Sequence, residues 1–501
     1  MDALIKPRLS FAAGAALLTF LFHLAANPHY GFFRDELYFI ICGFHPAWGY
    51  VDQPPVTPLL AAASQLFGHS LFLLRAIPAA FAAGSVYVVC RLVQEFGGGT
   101  FAMVLAAICA ALSPVLAAFG EKVGPDMVGL WLWPLALLYI VRIVNGGDAR
   151  QWIWAGVAIG ISAESKYSVL YFALAFLIAL LIAPQRRLLY SKWFAAAAGI
   201  AIAIALPSVL WQAAHQFPIV ELLRAGQAGK NVVLTPAQYL LAEFLITGPV
   251  LALVWMSGLV WLALTPRLRF LAYGYALLII MMIASHAKHY YPADVYPLLF
   301  AAGGAALEQW TAPARWLRPV AVALAVVGGL FMLPYVEPIL PERDFIAYNG
   351  VLGPHIGTAT ATEHHKSSSM TQDWADMHGW PQLAATVERV YNALTPAERA
   401  QAVVFAQNYG EASAVAFFTT VPVISGHNQY YLWGTLGKSG DVLIDIDGHC
   451  MQKLHLYRSA TKAATFSNPY VMPYENDMPI YVCRGITRPL LSVWPYAKHY
   501  D

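Results

Sequence analysis

Apolar runs of about 20 residues recur through the first two thirds of this 501-residue chain, and they restrict its possible folds more than any other feature. A helix of that length spans the hydrocarbon core of a bilayer. Hydrophobic residues make up 59% of the chain and charged residues only 12%. The sequence therefore predicts a polytopic membrane protein built from α-helices.

The apolar pattern predicts about eleven membrane spans, of which the fifth and tenth are short enough to be re-entrant or interrupted. The predicted spans are 9–27, 71–93, 101–119, 126–144, 151–163, 168–184, 193–213, 238–264, 270–286, 292–308 and 317–335. Beyond residue 336, Asp, Glu, His, Asn and Gln become common, and no run is long enough to span. We therefore predict an all-α membrane domain over 1–336 and a soluble domain over 337–501.

The soluble part shows patterns of both helix and strand. Short apolar runs predict strands at 402–406, 441–446 and 479–483, and longer patterns predict helices over 373–394 and 411–418. The first helix is expected to be interrupted near a Gly-Trp-Pro sequence at 379–381. The C-terminal domain is therefore predicted to be mixed α/β.

Lysines and arginines are distributed unevenly between the loops on the two sides. With a cytoplasmic N-terminus, the inward loops hold ten of them and the outward loops of the membrane domain hold seven. This bias supports a cytoplasmic N-terminus, and an odd number of spans then places the soluble domain outside. The first apolar run is long for a signal peptide and is expected to be retained. A net charge of +2 gives no reason to expect a nucleic-acid partner.

The five cysteines show no metal-binding spacing. Cys42, Cys90 and Cys109 lie in or beside predicted spans and are interpreted as apolar packing residues. Cys450 and Cys483 both lie in the soluble domain, where an oxidising compartment would allow them to pair. The sequence leaves open whether their geometry permits a disulfide.

Unusual polar residues collect in the loops predicted to face outward. The long first loop begins with two adjacent carboxylates, Asp35 and Glu36, and continues to Asp52 and Gln53. Charged groups at a membrane boundary are costly to keep without a function. The structural alternative is that one carboxylate pairs with Arg34 and the other caps a helix.

Later outward loops add further polar residues. They are Asp126, Lys166, Tyr167, His286, Lys288, His289 and Tyr290. Such a set suits an acceptor hydroxyl that attacks a sugar carbon bonded to phosphate. That reaction needs a carboxylate to accept the proton and cations to stabilise the departing phosphate. A lipid-linked donor also needs an apolar groove.

These requirements assign roles to the outward residues. Asp35 is favoured as the general base, with Glu36 in support, and Lys288 with His286 and His289 is assigned to the phosphate. Asp52 and Asp126 are assigned to positioning the sugar or the base. Asp35, Glu36 and Asp126 are also candidate ligands of a divalent cation, if one is needed. A lysine that reaches towards lipid headgroups and an acid in the first turn of a helix are the structural alternatives for Lys288 and Asp126.

Several motifs resemble bacterial glycosyltransferases related to the protein O-mannosyltransferases and the lipid A aminoarabinose transferase. The motifs are Arg34-Asp35-Glu36-Leu37-Tyr38, the segment Gly49 to Leu60, Lys166-Tyr167-Ser168, Lys288-His289-Tyr290-Tyr291, Asn408-Tyr409-Gly410-Glu411-Ala412 and Ser425-Gly426-His427-Asn428. The resemblance extends over nearly the whole chain. Where the aminoarabinose transferases tend to have a lysine, this chain has Gln53.

The resemblance implies a membrane fold of the GT-C type and an inverting transfer of a hexose or pentose from a polyprenyl-phosphate donor. It implies a site at the periplasmic face of the bacterial inner membrane, with Asp35 at the proposed catalytic position. Asp52, Gln53, Lys166, Tyr167 and Tyr290 are further candidates for substrate binding. The acceptor is left open between a lipid, a glycan and a protein.

Two other functions remain open from the sequence. A transporter or flippase of lipid-linked sugars would share the membrane spans, but transporters usually place polar groups near the bilayer midplane in repeated halves. This chain shows no repeat, and its polar groups lie in loops. A sensor or binding protein would use the soluble domain to recognise a ligand.

Overall fold

The structure, a computed structural model, describes residues 2–357, 363, 368–448, 450 and 456–501, and it is mostly helical. Its α-helices are α1 Asp2–Ala26, α2 Arg34–Phe44, α3 Val56–Ala63, α4 Leu71–Glu95, α5 Thr100–Leu112, α6 Pro114–Glu121, α7 Asp126–Val144, α8 Gln151–Ala163, α9 Val169–Ile182, α10 Lys192–Ala214, α11 Pro218–Ala225, α12 Pro236–Ile246, α13 Pro249–Leu264, α14 Arg269–Ala284, α15 Tyr296–Trp310, α16 Leu317–Met332, α17 Glu342–Ile356, α18 Gln372–Ala375, α19 Trp380–Asn392, α20 Pro396–Gln401, α21 Tyr409–Phe418, α22 Gln429–Trp433 and α23 Leu490–Val493. The strands are β1 Val403–Ala406, β2 Val423–Ser425, β3 Val442–Ile446, β4 Tyr457–Phe466 and β5 Met478–Ile486.

The apolar helices of the first two thirds are consistent with a membrane domain. Among the described residues, four helices are long and apolar enough to cross a bilayer, namely α4, α7, α10 and the helix that begins with α16. The number becomes seven if each of three bent helix pairs forms one span, and α8, α14 and residues Ser10–Ala26 of α1 are shorter apolar helices. The eleven spans stay a prediction.

Two predicted spans are broken in the structure. The predicted span 238–264 divides into α12 and α13, which are bent by 109° at Gly248. Gly248 has a φ of 85°, and Pro249 then begins the next helix, where its missing N–H costs no hydrogen bond. Pro114 likewise separates α5 from α6, which are bent by 60°. The predicted continuous helices are therefore wrong at these two points, because each contains a helix-breaking residue.

The C-terminal part contains a five-stranded mixed sheet, as the predicted α/β pattern required. The strand order is β2-β1-β3-β5-β4. β1 pairs in parallel with β2 and β3, and β5 pairs antiparallel with β3 and β4. Cys450 forms a disulfide with Cys483 on β5, which answers the pairing question that the sequence left open. The helices α19 and α21 pack beside the sheet and complete this part.

The C-terminal part is joined to the helical bundle at α2. The Val51 N–H donates to Oε1 of Gln429 at 3.1 Å, and the Arg34 N–H donates to the carbonyl of Asp376 at 3.0 Å. Helix α21 packs directly against α2. The junction brings residues that are more than 300 positions apart in the chain around one cavity.

Candidate active site

The side chain of Glu36 holds the start of α2 in place through its hydrogen bonds. Its Oε2 accepts the Phe33 N–H at 2.9 Å, and its Oε1 accepts the Val123 N–H at 3.0 Å. Arg75 donates to both oxygens, at 3.2 Å and 3.0 Å, and Glu36 and Arg75 are almost completely buried. Four donors therefore occupy this carboxylate. The local sequence favours this arrangement, because an acid three residues into a helix accepts the exposed N–H groups at its start.

Asp35, the next residue towards the N-terminus, has a different environment. Its side chain is 33% exposed and lines a cavity. The Tyr409 hydroxyl donates to Oδ1 of Asp35 at 2.8 Å, and Nε of Arg34 lies 3.5 Å from the same oxygen. Arg34 also lies 3.5 Å from Oδ2 of buried Asp376. Neighbouring positions on a helix point about 100° apart, so one carboxylate faces the cavity while the other is buried beneath it.

Asp52 forms the next part of the same cavity wall. The Tyr38 hydroxyl donates to Oδ1 of Asp52 at 3.0 Å, and the Gln429 N–H donates to that hydroxyl at 3.2 Å. Burial and the nearby Asp35 charge raise the pKa of Asp52 to about 7, despite the hydrogen bond from Tyr38. Asp52 is therefore a carboxyl group that titrates near neutral pH.

The cavity has a volume of about 520 Å³ and lies between α2, the loops that follow α6, α8 and α14, and the C-terminal part. Its polar lining includes Arg34, Asp35, Asp52, Gln53, Lys122, Asp126, Lys166, Tyr167, Lys230, Lys288, His289, Tyr290, Glu363, Tyr409, Asn428 and Asp501. Apolar residues of α6, α11 and α12 also line it, among them Phe119 and Leu222. The cavity thus combines charged groups with an apolar wall.

Lys166 lines the same cavity and is held by a carboxylate and an aromatic ring. Its Nζ donates to Oδ1 of Asp126 at 2.6 Å and lies 3.8 Å from the centre of the Tyr291 ring. Although burial lowers the pKa of Lys166, the Asp126 charge raises it above its ordinary value. Lys166 is therefore a fixed positive charge in the cavity wall, as a cation–π contact and a charge-assisted hydrogen bond together favour.

Lys288 and Lys230 form a second basic group around Glu363. The Lys288 Nζ donates to Oε1 of Glu363 at 2.7 Å, and the Lys230 Nζ lies 4.0 Å from Oε2. Burial opposes the ionisation of Glu363, but these two lysines hold its pKa at about 2. Burial and the Lys288 charge lower the pKa of His289 to about 4, so this histidine is neutral near pH 7. An anion thus already lies between the two lysines.

The structure brings together most of the residues predicted from the sequence, but not all. Asp35, Asp52, Gln53, Asp126, Lys166, Tyr167, Lys288, His289 and Tyr290 all line the cavity. Glu36 and His286 are not among the lining residues: Glu36 is buried in its hydrogen-bond network, and His286 is exposed. Their predicted roles stay predictions, and the contacts of Glu36 favour positioning over proton transfer.

The predicted metal ligands do not form a cluster. In the part of the chain that the structure describes, groups of three His, Cys, Asp or Glu ligands within 4.8 Å occur at His427–His499–Asp501 and at Asp445–Cys450–Cys483. The second group contains the disulfide. Nδ1 of His427 accepts the Tyr409 N–H at 3.4 Å, and its Nε2 lies 2.9 Å from Asp501, so both nitrogens already have hydrogen-bond partners. A divalent cation at Asp35, Glu36 and Asp126 therefore has no support from this geometry.

Sequence reasoning did not assign several lining residues to the site. Glu363, Tyr409, Asn428 and Asp501 come from the C-terminal part, and Lys230 comes from the loop between α11 and α12. Glu363 lies in a segment of which 358–362 and 364–367 are outside the described residues. The Asn-Tyr-Gly and Gly-His-Asn motifs were the available signals for Tyr409 and Asn428.

Comparison with known proteins gives three similarities. Residues 52–211 match the dolichyl-phosphate-mannose-protein mannosyltransferase family. The lipid A galacturonosyltransferase RgtD of Rhizobium johnstonii is 22% identical over 333 residues, which cover 62% of this chain and 67% of that protein. ArnT from Cupriavidus metallidurans matches this fold at 11% identity, with a TM-score of 0.61 in its complex with undecaprenyl phosphate and 0.60 in its apo state.

The ArnT match extends over almost the entire chain. It covers 94% of this chain and 97% of the ArnT chain in the undecaprenyl phosphate complex. At this low identity the match establishes the fold, while function depends on the site. Taken together, the three similarities support a glycosyltransferase of the GT-C superfamily, which confirms the resemblance seen in the sequence motifs.

Proposed function

We propose that this protein transfers a sugar, a hexose or a pentose, from a polyprenyl-phosphate donor to an acceptor at the periplasmic face of the bacterial inner membrane. The transfer inverts the anomeric carbon in one displacement, and Asp35 is the general base. The observation that supports this most strongly is a single cavity lined both by the carboxyl groups of Asp35 and Asp52 and by the lysines Lys166, Lys230 and Lys288. The reaction needs these two kinds of group on either side of the sugar.

Asp35 is the carboxylate best placed to accept the acceptor's proton. Tyr409 and Arg34 both contact Oδ1, which leaves Oδ2 for the acceptor hydroxyl. As that proton moves to Asp35, the acceptor oxygen forms a bond to the anomeric carbon. The bond from this carbon to the phosphate oxygen breaks at the same time, and the phosphate leaves with the electron pair. Asp52 is the second carboxyl group that lines this part of the cavity, and it supports Asp35.

The lysines supply the charge that stabilises the departing phosphate. Lys288 and Lys230 already bind a carboxylate, Glu363, and a phosphate that binds there has to displace this anion. Lys166 lies in the same cavity with Asp126 as its partner. The apolar residues of α6, α11 and α12 provide the groove for the lipid chain. Undecaprenyl phosphate is the lipid bound in one of the ArnT structures, and its chemistry matches this pairing of a basic site with an apolar wall.

Two observations favour the outer face of the membrane. The loops that form the cavity belong to the side that the distribution of Lys and Arg predicts to face outward. The disulfide between Cys450 and Cys483 is typical of an oxidising compartment such as the periplasm. Both observations support a C-terminal domain over 337–501 that lies outside, with a membrane domain over 1–336 that delivers the lipid to it.

The function is tested by comparing cells with and without the gene. Mass spectrometry of envelope lipids, glycans and proteins is expected to show one glycosylated product that depends on the gene and on intact Asp35. A transporter is the alternative: reconstituted protein would then move a labelled lipid-linked sugar across vesicles without forming a new glycosidic bond, and that result would contradict the proposal.

A further inference from the structure

Gln53 is a buried amide without a partner in the wall of the cavity. Its side chain is 2% exposed, and it lines the cavity. Neither Nε2 nor Oε1 has a hydrogen-bond partner among the described residues. Buried amides are normally paired, because leaving both ends unpaired costs folding free energy. The side chain of Gln53 therefore contributes no hydrogen bond within the described part of the chain, and this points to a ligand.

Asn428, in the C-terminal part, also lines the cavity with a buried amide oxygen that has no partner among the described residues. It is 2% exposed. Its backbone has φ 46° and ψ −128°, a conformation that residues other than glycine rarely adopt. Such strain is concentrated at functional sites, where the surrounding structure holds the residue in place. The N–H of Asn428 donates to the carbonyl of His499 at 3.1 Å.

The two amides belong to segments that are hydrogen-bonded to each other. The Val51 N–H donates to Oε1 of Gln429, and the Gln429 N–H donates to the Tyr38 hydroxyl, which in turn donates to Asp52. Asp52 immediately precedes Gln53, and Gln429 immediately follows Asn428. The helical bundle and the C-terminal part thus each place an amide with an unpaired oxygen in the lining of the same cavity.

The chemistry of this pair suits an uncharged group. An amide offers one acceptor and two donors without charge, which matches the hydroxyl groups of a sugar. A sugar carboxylate at this place would instead meet the carboxyl groups of Asp52 and Asp35, so an acidic sugar is disfavoured. We propose that Gln53 and Asn428 form a subsite that recognises hydroxyl groups of a neutral sugar on the donor. This inference rests on the proposed function, because it assumes a polyprenyl-phosphate donor.

The experiment measures binding of three carriers to the full-length protein in nanodiscs. The probes are undecaprenyl phosphate alone and undecaprenyl phosphate linked to glucose or to glucuronate. The variants are Gln53→Leu and Asn428→Gly, the second of which also removes the backbone strain. Gln94→Leu is the matched control, since Gln94 on α4 is not among the cavity-lining residues.

The wild-type protein is expected to bind the glucose-linked carrier more tightly than the glucuronate-linked carrier. Each variant should raise the dissociation constant of the glucose-linked carrier by about tenfold more than that of the bare carrier. This is the loss expected from one hydrogen bond. Gln53→Leu should not lower the melting temperature, because the amide makes no bond within the described fold. If the role of Gln53 were purely structural, Gln53→Leu would lower the melting temperature.

Equal losses on the bare and glucose-linked carriers, or no loss on either, would overturn the subsite and leave the proposed function standing. Tighter binding of the glucuronate-linked carrier would overturn the neutral-sugar assignment. If the wild-type protein binds none of the three carriers, the proposed function fails, and the subsite fails with it.

Discussion

Two charged regions lie on either side of the start of α2, and they differ in how completely their charges are paired. Below the helix, Arg75 is buried between Glu36 and Glu121, and both oxygens of Glu36 are occupied. Above it, Asp35 is partly exposed to the cavity, and Tyr409 and Arg34 both contact its Oδ1. The closed network fixes the backbone, and the open side is where we propose that the substrate reacts.

The largest expected effect separates the two neighbouring carboxylates by activity. Asp35→Asn removes the proposed base and should lower transfer by about 100- to 10,000-fold, the usual range for general base catalysis. The protein should remain inserted and elute as the wild type does, because Asp35 is not buried. The measurement is single-turnover transfer in nanodiscs. Near-normal turnover would remove Asp35 from the mechanism.

The second prediction concerns stability and not chemistry. Glu36→Gln removes one charge from the buried network, so Arg75 loses a principal partner. Breaking a buried ion pair typically costs about 3 kcal/mol, so the melting temperature should fall by several degrees. Thermal unfolding followed by intrinsic fluorescence measures this, with Asp35→Asn as the adjacent control. A normal melting temperature together with complete loss of transfer would instead assign Glu36 to catalysis.

A smaller effect is expected at the basic wall. Glu363→Gln removes the anion that occupies Lys288 and Lys230, so undecaprenyl phosphate should bind several-fold more tightly. Fluorescence titration of the variant and of wild type measures the change, and Glu398→Gln, in the C-terminal part away from the cavity, is the control. Weaker binding would show that Glu363 orients the lysines and does not compete with phosphate.

The last prediction concerns the pH dependence of stability. Burial and Asp35 raise the folded-state pKa of Asp52 to about 7 from the ordinary 3.8. The folded protein therefore keeps a proton that the unfolded chain has lost, and Asp52 destabilises the fold increasingly as pH rises towards 7. Asp52→Asn should melt higher than wild type at about pH 8, and the difference should narrow at about pH 5. An unchanged difference between the two pH values would contradict this assignment.

The sequence predicted the parts of the fold that depend on local apolar patterns. The predicted span 126–144 coincides with α7, and 71–93 lies within α4. The missed strands had weaker signals: β2 has three residues, and β4 includes Arg458 and Lys462 and is mostly exposed. Periodicity cannot reveal a strand that is very short or that lies at a polar sheet edge.

The candidate site was predictable only where its residues belong to recognisable loops. Asp35, Asp52, Lys166 and Lys288 were predicted because charge is unusual in an apolar chain. Tyr409 lies 374 positions from the Asp35 that it contacts, and no local pattern indicates that pairing. The sequence also could not distinguish Glu36 from Asp35, because their difference depends on Arg75 lying beneath the helix.

The most direct test of the account is the side of the membrane on which the first loop lies. Trp48 is 67% exposed in that loop, and the three free cysteines of the described chain are buried, so Trp48→Cys gives a single reactive site. A membrane-impermeant maleimide should label this variant in intact spheroplasts. Labelling only after the membrane is permeabilised would place the acidic wall in the cytosol and contradict transfer at the periplasmic face.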